Sequence, residues 1–282
     1  MVRLWQGLGK IRHLEYHLRV PLLISARNAF LLGLGLVTAV YLPVLLDGDQ
    51  VFLFRDLSHF HLPSRMLWVK ALAELGRIPH WNPYHGAGVP YLTETQYAPF
   101  HPFAFLFLFL APARALVFFL WAHHLAIFSG GFLLARQLKV RGELAALAGL
   151  ALSLGGFAIT VDNHLHELGG QAAVPFFLFF WLRYLRPGGR WLDLALASLA
   201  LASPVYTGNP QYSYVMGIVA AAMALYLARW RGLPPLAALG GLAALAAGPV
   251  LFPVLSLFGP GMKGIGYDYP LYWSLHPARL VE

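Results

Sequence analysis

The chain has no cysteine. Disulfides, thiolate metal sites and covalent haem attachment are therefore excluded. Charge is scarce as well: Asp, Glu, Lys and Arg make up 11% of the 282 residues, where a soluble domain carries about 25%. The P-loop, the GxGxxG fingerprint, the nucleophile elbow and the HExxH motif are all missing. An ATPase, a dinucleotide enzyme or a zincin protease would have no visible site here. Apolar sequence is what the chain has in quantity. Hydrophobic residues make up 59% of it, and its mean hydropathy is +0.62.

Several apolar runs approach the roughly 20 residues needed to cross hydrocarbon. They are continuous rather than alternating, which favours helices over a barrel. The expected fold is an all-α polytopic membrane protein with about seven transmembrane helices, at residues 29–46, 115–135, 144–161, 171–186, 191–206, 212–228 and 235–257. The Ala/Leu/Gly-rich stretch 236–248 reads as a tightly packing span. A formal charge of +8 would point to nucleic acid in a soluble chain. Here it reads as an orientation signal, so the expected partner is the lipid bilayer and not nucleic acid.

Residues 1–28 carry Arg3, Lys10, Arg12, Arg19 and Arg27 and form a basic segment expected in the cytoplasm. The apolar run that follows is too long for a signal-peptide core and lacks a clear cleavage site, so it reads as a retained anchor. With the N-terminus inside, that side also holds Arg136, Lys139, Arg141, Arg183, Arg186, Arg190, Arg229 and Arg231. It thus has 13 of the 20 basic residues but only Glu15, Glu143 and Asp193 of the 12 acids. Every inside segment obeys the positive-inside rule. This orientation puts residues 47–114, 162–167 and 208–211 and the tail 259–282 on the external face of a multi-pass cell-membrane protein.

The external loop 47–114 is large and patterned. Pro63 suits a first helical residue and Gly76 a residue just past a helix end. Between them Leu67, Ala71 and Leu75 recur at helical spacing, which predicts a short amphipathic helix on the membrane surface. Pro79, Pro83, Gly86, Gly88 and Pro90 then punctuate an irregular stretch with aromatic residues that need burial. The apolar segment 103–110 is too short to span. It reads as an interfacial or re-entrant helix stopped by Pro112.

Four clusters offer chemistry. Asp56 lies between Arg55 and the histidines His59 and His61; it is a candidate general base or metal ligand, and equally a helix N-cap. Asp162, His164, His166 and Glu167 crowd into six residues, either as ligands of a divalent metal together with Asp56 or as an ordinary polar loop. Gly208-Asn209-Pro210-Gln211 suits a tight turn first, with Asn209 and Gln211 as possible substrate contacts. His123 and His124 lie within the second span; they are functional suspects there, or neutral groups hydrogen-bonded between helices.

The chain resembles the YfhO-like bacterial membrane proteins, placed in the GT-C class of polytopic glycosyltransferases. The resemblance rests on Asp56, then Pro79-x-Trp81-Asn82-Pro83-Tyr84-x-Gly86-x-Gly88-x-Pro90, Gln96 and Pro99, His164 and His166, and the 208–211 turn. It covers roughly residues 35 to 282. It implies a GT-C-like transmembrane domain over residues 29–282. It also implies transfer of a sugar from a polyprenyl-phosphate carrier to a cell-envelope glycan or polymer acceptor at the external face. On that reading Asp56 is catalytic, and Arg55, His59, Trp81, Asn82, Tyr84, Gln96, His164, His166, Asn209 and Gln211 contact substrate. Arg55, Arg65, Lys70 and Lys263 are the external cations available for the phosphate. Family members are usually longer, which implies that the tail 259–282 is truncated. A transporter or flippase of lipid-linked sugar precursors, or a non-catalytic fragment or scaffold subunit, remains open as an alternative. Pro175, Pro204, Pro249 and Pro253 in or near spans favour the transporter.

Overall fold

The computed structural model describes residues 24–52 and 54–257. Residues 1–23 of the basic segment 1–28, Lys263 and the tail 259–282 lie outside the described residues, while residues 25–28 form the cap and first turn of the first helix. Helix α1 (Ala26–Leu46) starts at Ser25, whose hydroxyl accepts the Asn28 N–H at 3.2 Å and satisfies one orphan donor of the first turn. A wide turn at Leu57–His61 leads into α2 (Leu62–Leu75), which has Pro63 in its first turn and left-handed Gly76 (φ +63°) after its end, as expected. Two short strands, β1 (Trp81–Asn82) and β2 (Val89–Pro90), pair antiparallel. A 3-10 turn at Pro102–Phe105 and the one-turn helix α3 (Leu106–Phe109) complete the loop.

The remaining helices form a bundle: α4 (Pro112–Gln137), α5 (Gly142–Leu154) with its one-turn continuation α6 (Gly156–Thr160), α7 (Leu165–Leu185), α8 (Trp191–Thr207), α9 (Pro210–Ala228) and α10 (Leu233–Leu257). Among the described residues, five stretches are long and apolar enough to cross a membrane. They are Ala26–Leu46, Pro112–Gln137, Gly142–Asn163, Leu165–Leu185 and Pro210–Ser256. The last stretch contains both α9 and α10, parted by a 3-10 turn at Arg229–Gly232, and α8 is shorter at 17 residues. Each predicted span therefore has a helix, with its ends displaced by a few residues.

Packing follows side-chain size. An added Cβ at Gly149 would stand 2.7 Å from the Phe128 carbonyl oxygen, so α4 and α5 approach closely only because that position is glycine. In α10 the buried stripe is Leu239, Ala243, Ala247 and Val250, packed with α8 residues such as Leu201 and Val205. Gly240, Gly241 and Gly248 meet nothing within 4 Å among the described residues, so the tight packing expected from those glycines is absent there.

The bundle has two chemically different ends. At one, Arg114 donates to the Val44, Leu45 and Asp47 carbonyls at 2.6–2.9 Å and closes the C-terminus of α1. Thr95 reaches the Gly208 carbonyl at the same end. At the other, Arg186 donates to the Gln137 carbonyl, and Arg183 pairs with Asp193 at 3.2 Å. The basic residues after α4, α7 and α9 gather at this second end, opposite the long loop.

Candidate functional site

The loop builds the site by sinking its own core into the bundle. Phe103 packs on Phe119 and His123, and Phe107 on Phe119. Residues 101–110 therefore run back along the first turns of α4. His101 stacks on His123, eleven residues and about 16 Å along α4 from Pro112. The segment expected as interfacial or re-entrant is thus packed against the first turns of α4.

The amphipathic reading of α2 needs correction. Its buried stripe is Ser64, Arg65, Trp68 and Ala71, continuing Leu57 and His61, while Leu75 is 60% exposed. Arg65 is not an external cation. It is 2% exposed, its guanidinium lies over the rings of Phe107 and Phe119, and Nη1 donates to the His61 carbonyl at 3.3 Å. Its stem fits a wall of aromatic rings, and two rings supply the attraction that water would otherwise give. Burial lowers its pKa to about 10.

The hairpin is ordered, but its aromatics are sorted unexpectedly. Because neighbours on a strand face opposite ways, Trp81 is 52% exposed while Asn82 is 5% exposed. Asn82 Nδ2 donates to the Tyr97 hydroxyl at 2.8 Å, and its Oδ1 accepts the Tyr84 N–H at 3.0 Å. Its amide is engaged inside the loop and holds the hairpin instead of facing outward as a substrate contact. His85 Nδ1 meets the same Tyr97 hydroxyl at 2.7 Å. Tyr84 is 77% exposed, and the aromatics that are buried are Tyr91 and Tyr97.

Asp56 makes no capping hydrogen bond. Its Oδ2 lies 3.2 Å from His164 Nε2, with the two side chains 49% and 37% exposed. The preceding Arg55 is exposed in a left-handed conformation (φ +46°), uncommon for a residue with a side chain, and sits immediately before the wide turn. The His164 and His166 rings stand 5.8 Å apart, and His61 lies 5.9 Å from His166. His164 and His166 are not on an extended segment. They straddle the start of α7, which still brings both rings to one side. His61 is 1% exposed, and neither ring nitrogen has a hydrogen-bond partner among the described residues. Burial holds it well below the usual imidazole range, with the Arg65 charge adding to the effect. A line of imidazoles thus runs inward from a half-exposed carboxylate. His59, beside it, is exposed.

The other members of the 162–167 cluster have different partners. Asp162 Oδ1 meets His124 Nε2 at 2.7 Å, and Tyr41 donates to Oδ2 at 3.3 Å. His124 Nδ1 faces the Ser153 carbonyl, so this histidine bridges helices as anticipated. Glu167 is bonded to Tyr212 and lies 3.8 Å from His166. The metal candidates Asp56, Asp162, His164, His166 and Glu167 are thus divided among separate pairs. No three His, Asp or Glu side chains among the described residues form a metal-holding group.

The 208–211 turn abuts the loop. Gly208 (φ +88°) lies so close to Gln96 that an added Cβ would stand 2.5 Å from its Cα. Asn209 is buried, with its backbone tied to Pro204 and Tyr212. Gln211 is exposed and has no side-chain hydrogen bond among the described residues. Arg114, Tyr41 and Tyr97 carry no sequence signal of these partnerships, which arise from residues far apart in the chain. Only His61 had a signal: it begins the buried spacing through Arg65 and Trp68.

Fold and site define the class: this is an all-α, multi-pass membrane protein with a structured loop carrying a carboxylate–histidine pair. No family's sequence profile, no curated protein and no solved structure matches the chain.

Proposed function

We propose that the chain is a membrane glycosyltransferase of the GT-C kind, taking sugar from a polyprenyl-phosphate carrier at the loop face. The supporting observation is the Asp56–His164 pair. The carboxylate forms no cap, is open to solvent, and has an imidazole 3.2 Å away to orient it. In the reaction Asp56 accepts the proton of an acceptor hydroxyl. The acceptor oxygen bonds to the anomeric carbon, and the bond from that carbon to the phosphate oxygen breaks, leaving its electron pair on the phosphate. Arg55 and Lys70 are exposed cations on the loop; Arg65 is too deep for this role. The loop face is the external face of the cell membrane, and the acceptor is a cell-envelope glycan or polymer. Charge asymmetry between the two ends supports that orientation.

The test is Asp56→Asn in the intact protein in membranes, with a radiolabelled polyprenyl-phosphate sugar. Transfer should fall by about 10²–10⁴-fold while insertion is unchanged. Undiminished transfer overturns the assignment. One observation favours a second reading, a transporter of lipid-linked precursors: the Tyr41–Asp162–His124 chain sits between helices of the bundle and can hold a proton. Under that reading Asp162→Asn stops precursor translocation while Asp56→Asn does not.

A further inference from the structure

A cavity of about 270 Å³ lies between α4, α7 and α8, apart from the Asp56 pair. Small residues such as Ala126, Gly169 and Ala172 open it. A second cavity of about 520 Å³ shares His101, Phe103, Leu199 and Ser203 with the first and reaches Ala246 on α10. The walls are apolar apart from a few groups, and His101 and His123 are set into them with their rings stacked at 5.1 Å.

The hydrogen bonds of the two rings fix their tautomers. His101 Nδ1 accepts the Phe103 N–H at 3.2 Å, so its ring hydrogen is on Nε2. His123 Nδ1 meets the Phe119 carbonyl at 2.8 Å. A carbonyl only accepts, so the hydrogen is on Nδ1 and Nε2 is a bare acceptor. Both rings are buried, and neither has a carboxylate partner among the described residues, which leaves them neutral. Neither Nε2 has a hydrogen-bond partner among the described residues. The two rings therefore offer the cavity one donor and one acceptor, while the Ser203 and Thr207 hydroxyls on its wall give their hydrogens to the Ala200 and Pro204 carbonyls.

We infer that this cavity binds the hydroxyl head of a long-chain alcohol drawn from the bilayer, with the chain along the apolar walls. A hydroxyl both donates and accepts, so a single group answers both histidines. A fully deprotonated phosphate or a carboxylate only accepts and would set its lone pairs against His123 Nε2; an ammonium only donates. The bilayer is the source because the walls are helices of the membrane bundle.

The test uses the full chain in lipid nanodiscs and three diazirine-bearing probes of equal chain length: a primary alcohol, its methyl ether and its phosphate. The alcohol should crosslink to α4, α7 and α8 at the cavity. The ether and the phosphate should label about five- to tenfold less, the effect of losing one buried hydrogen bond. His123→Phe, which keeps a ring on His101 but removes the acceptor, should lower alcohol labelling by a similar factor. Equal labelling by the three probes, or alcohol labelling confined to other helices, overturns the inference. The probe comparison uses the unaltered protein, so it decides the question even where His123→Phe fails to fold.

Discussion

Replacing Arg65 by methionine should leave the fold as stable as before or slightly more so, although it removes a buried charge. The magnitude follows from the surroundings. Burial lowers the guanidinium pKa from 12.5 to about 10. The unfolded chain therefore binds its proton more tightly, and at neutral pH the charged group costs the fold about 3 kcal/mol. Against this stand two cation–π contacts, to Phe107 at 5.5 Å and Phe119 at 5.3 Å, at about 1 kcal/mol each. One hydrogen bond of 3.3 Å to the His61 carbonyl adds about 1 kcal/mol. These terms nearly cancel. Methionine fills the same slot and regains about 1 kcal/mol from its sulfur against the rings, so Arg65→Met should lie within about 1 kcal/mol of the parent, on the stabilising side. Arg65→Ala keeps nothing in the slot and should lose about 3 kcal/mol. Unfolding by dodecyl sulfate in mixed micelles, followed by tryptophan fluorescence, measures both. A loss above about 2 kcal/mol for Arg65→Met would refute the reasoning, because it would mean that the guanidinium has a strong partner in the folded protein.

Acid should destabilise the fold through His61 and His101. Burial holds both rings well below their ordinary value of 6.5. As pH falls below about 6.5 the unfolded chain takes up protons that the folded rings refuse, so stability drops by at most about 1.4 kcal/mol per pH unit for each ring; an unfolding midpoint that is flat between about pH 7.5 and 5 contradicts this. Arg114→Ala strips three carbonyls at the end of α1 of their donor, for an expected loss of about 2–4 kcal/mol, read in the same unfolding assay; a loss below about 0.5 kcal/mol counts against that cap. Single cysteines are clean topology reporters because the chain has none. Tyr84→Cys and Trp230→Cys replace residues that are 77% and 78% exposed at opposite ends; an impermeant maleimide should label the first in intact cells and the second only after permeabilisation, and the reverse pattern inverts the proposed orientation.

The class and helix inventory were legible in the sequence because they depend on local composition. A continuous apolar run must satisfy its own backbone in hydrocarbon, so it is a helix whatever its neighbours are. Pro63 and Gly76 marked the limits of α2 for equally local reasons: proline fixes its own φ at a helical value, and glycine permits the left-handed φ that ends the helix. The polar clusters at 56, 162–167 and 208–211 were visible too, since charge is rare enough in this chain for each to stand out.

Partnership was a different matter. Asp162 lies beside His164 and His166 in sequence yet bonds to His124 and Tyr41, 38 and 121 residues away. Asp56 finds His164 only because α1, α4 and α7 bring both ends of that long separation to the same end of the bundle. Spacing within one loop sets which residues are near in the chain, but helix packing sets which are near in space. The buried face of α2 shows this most plainly. Its helical periodicity allowed a stripe through Leu67 and Leu75. The aromatic wall of α3 and α4 selected the stripe of His61, Arg65 and Trp68 instead, because two phenylalanine rings can accept a guanidinium that lipid or empty space could not.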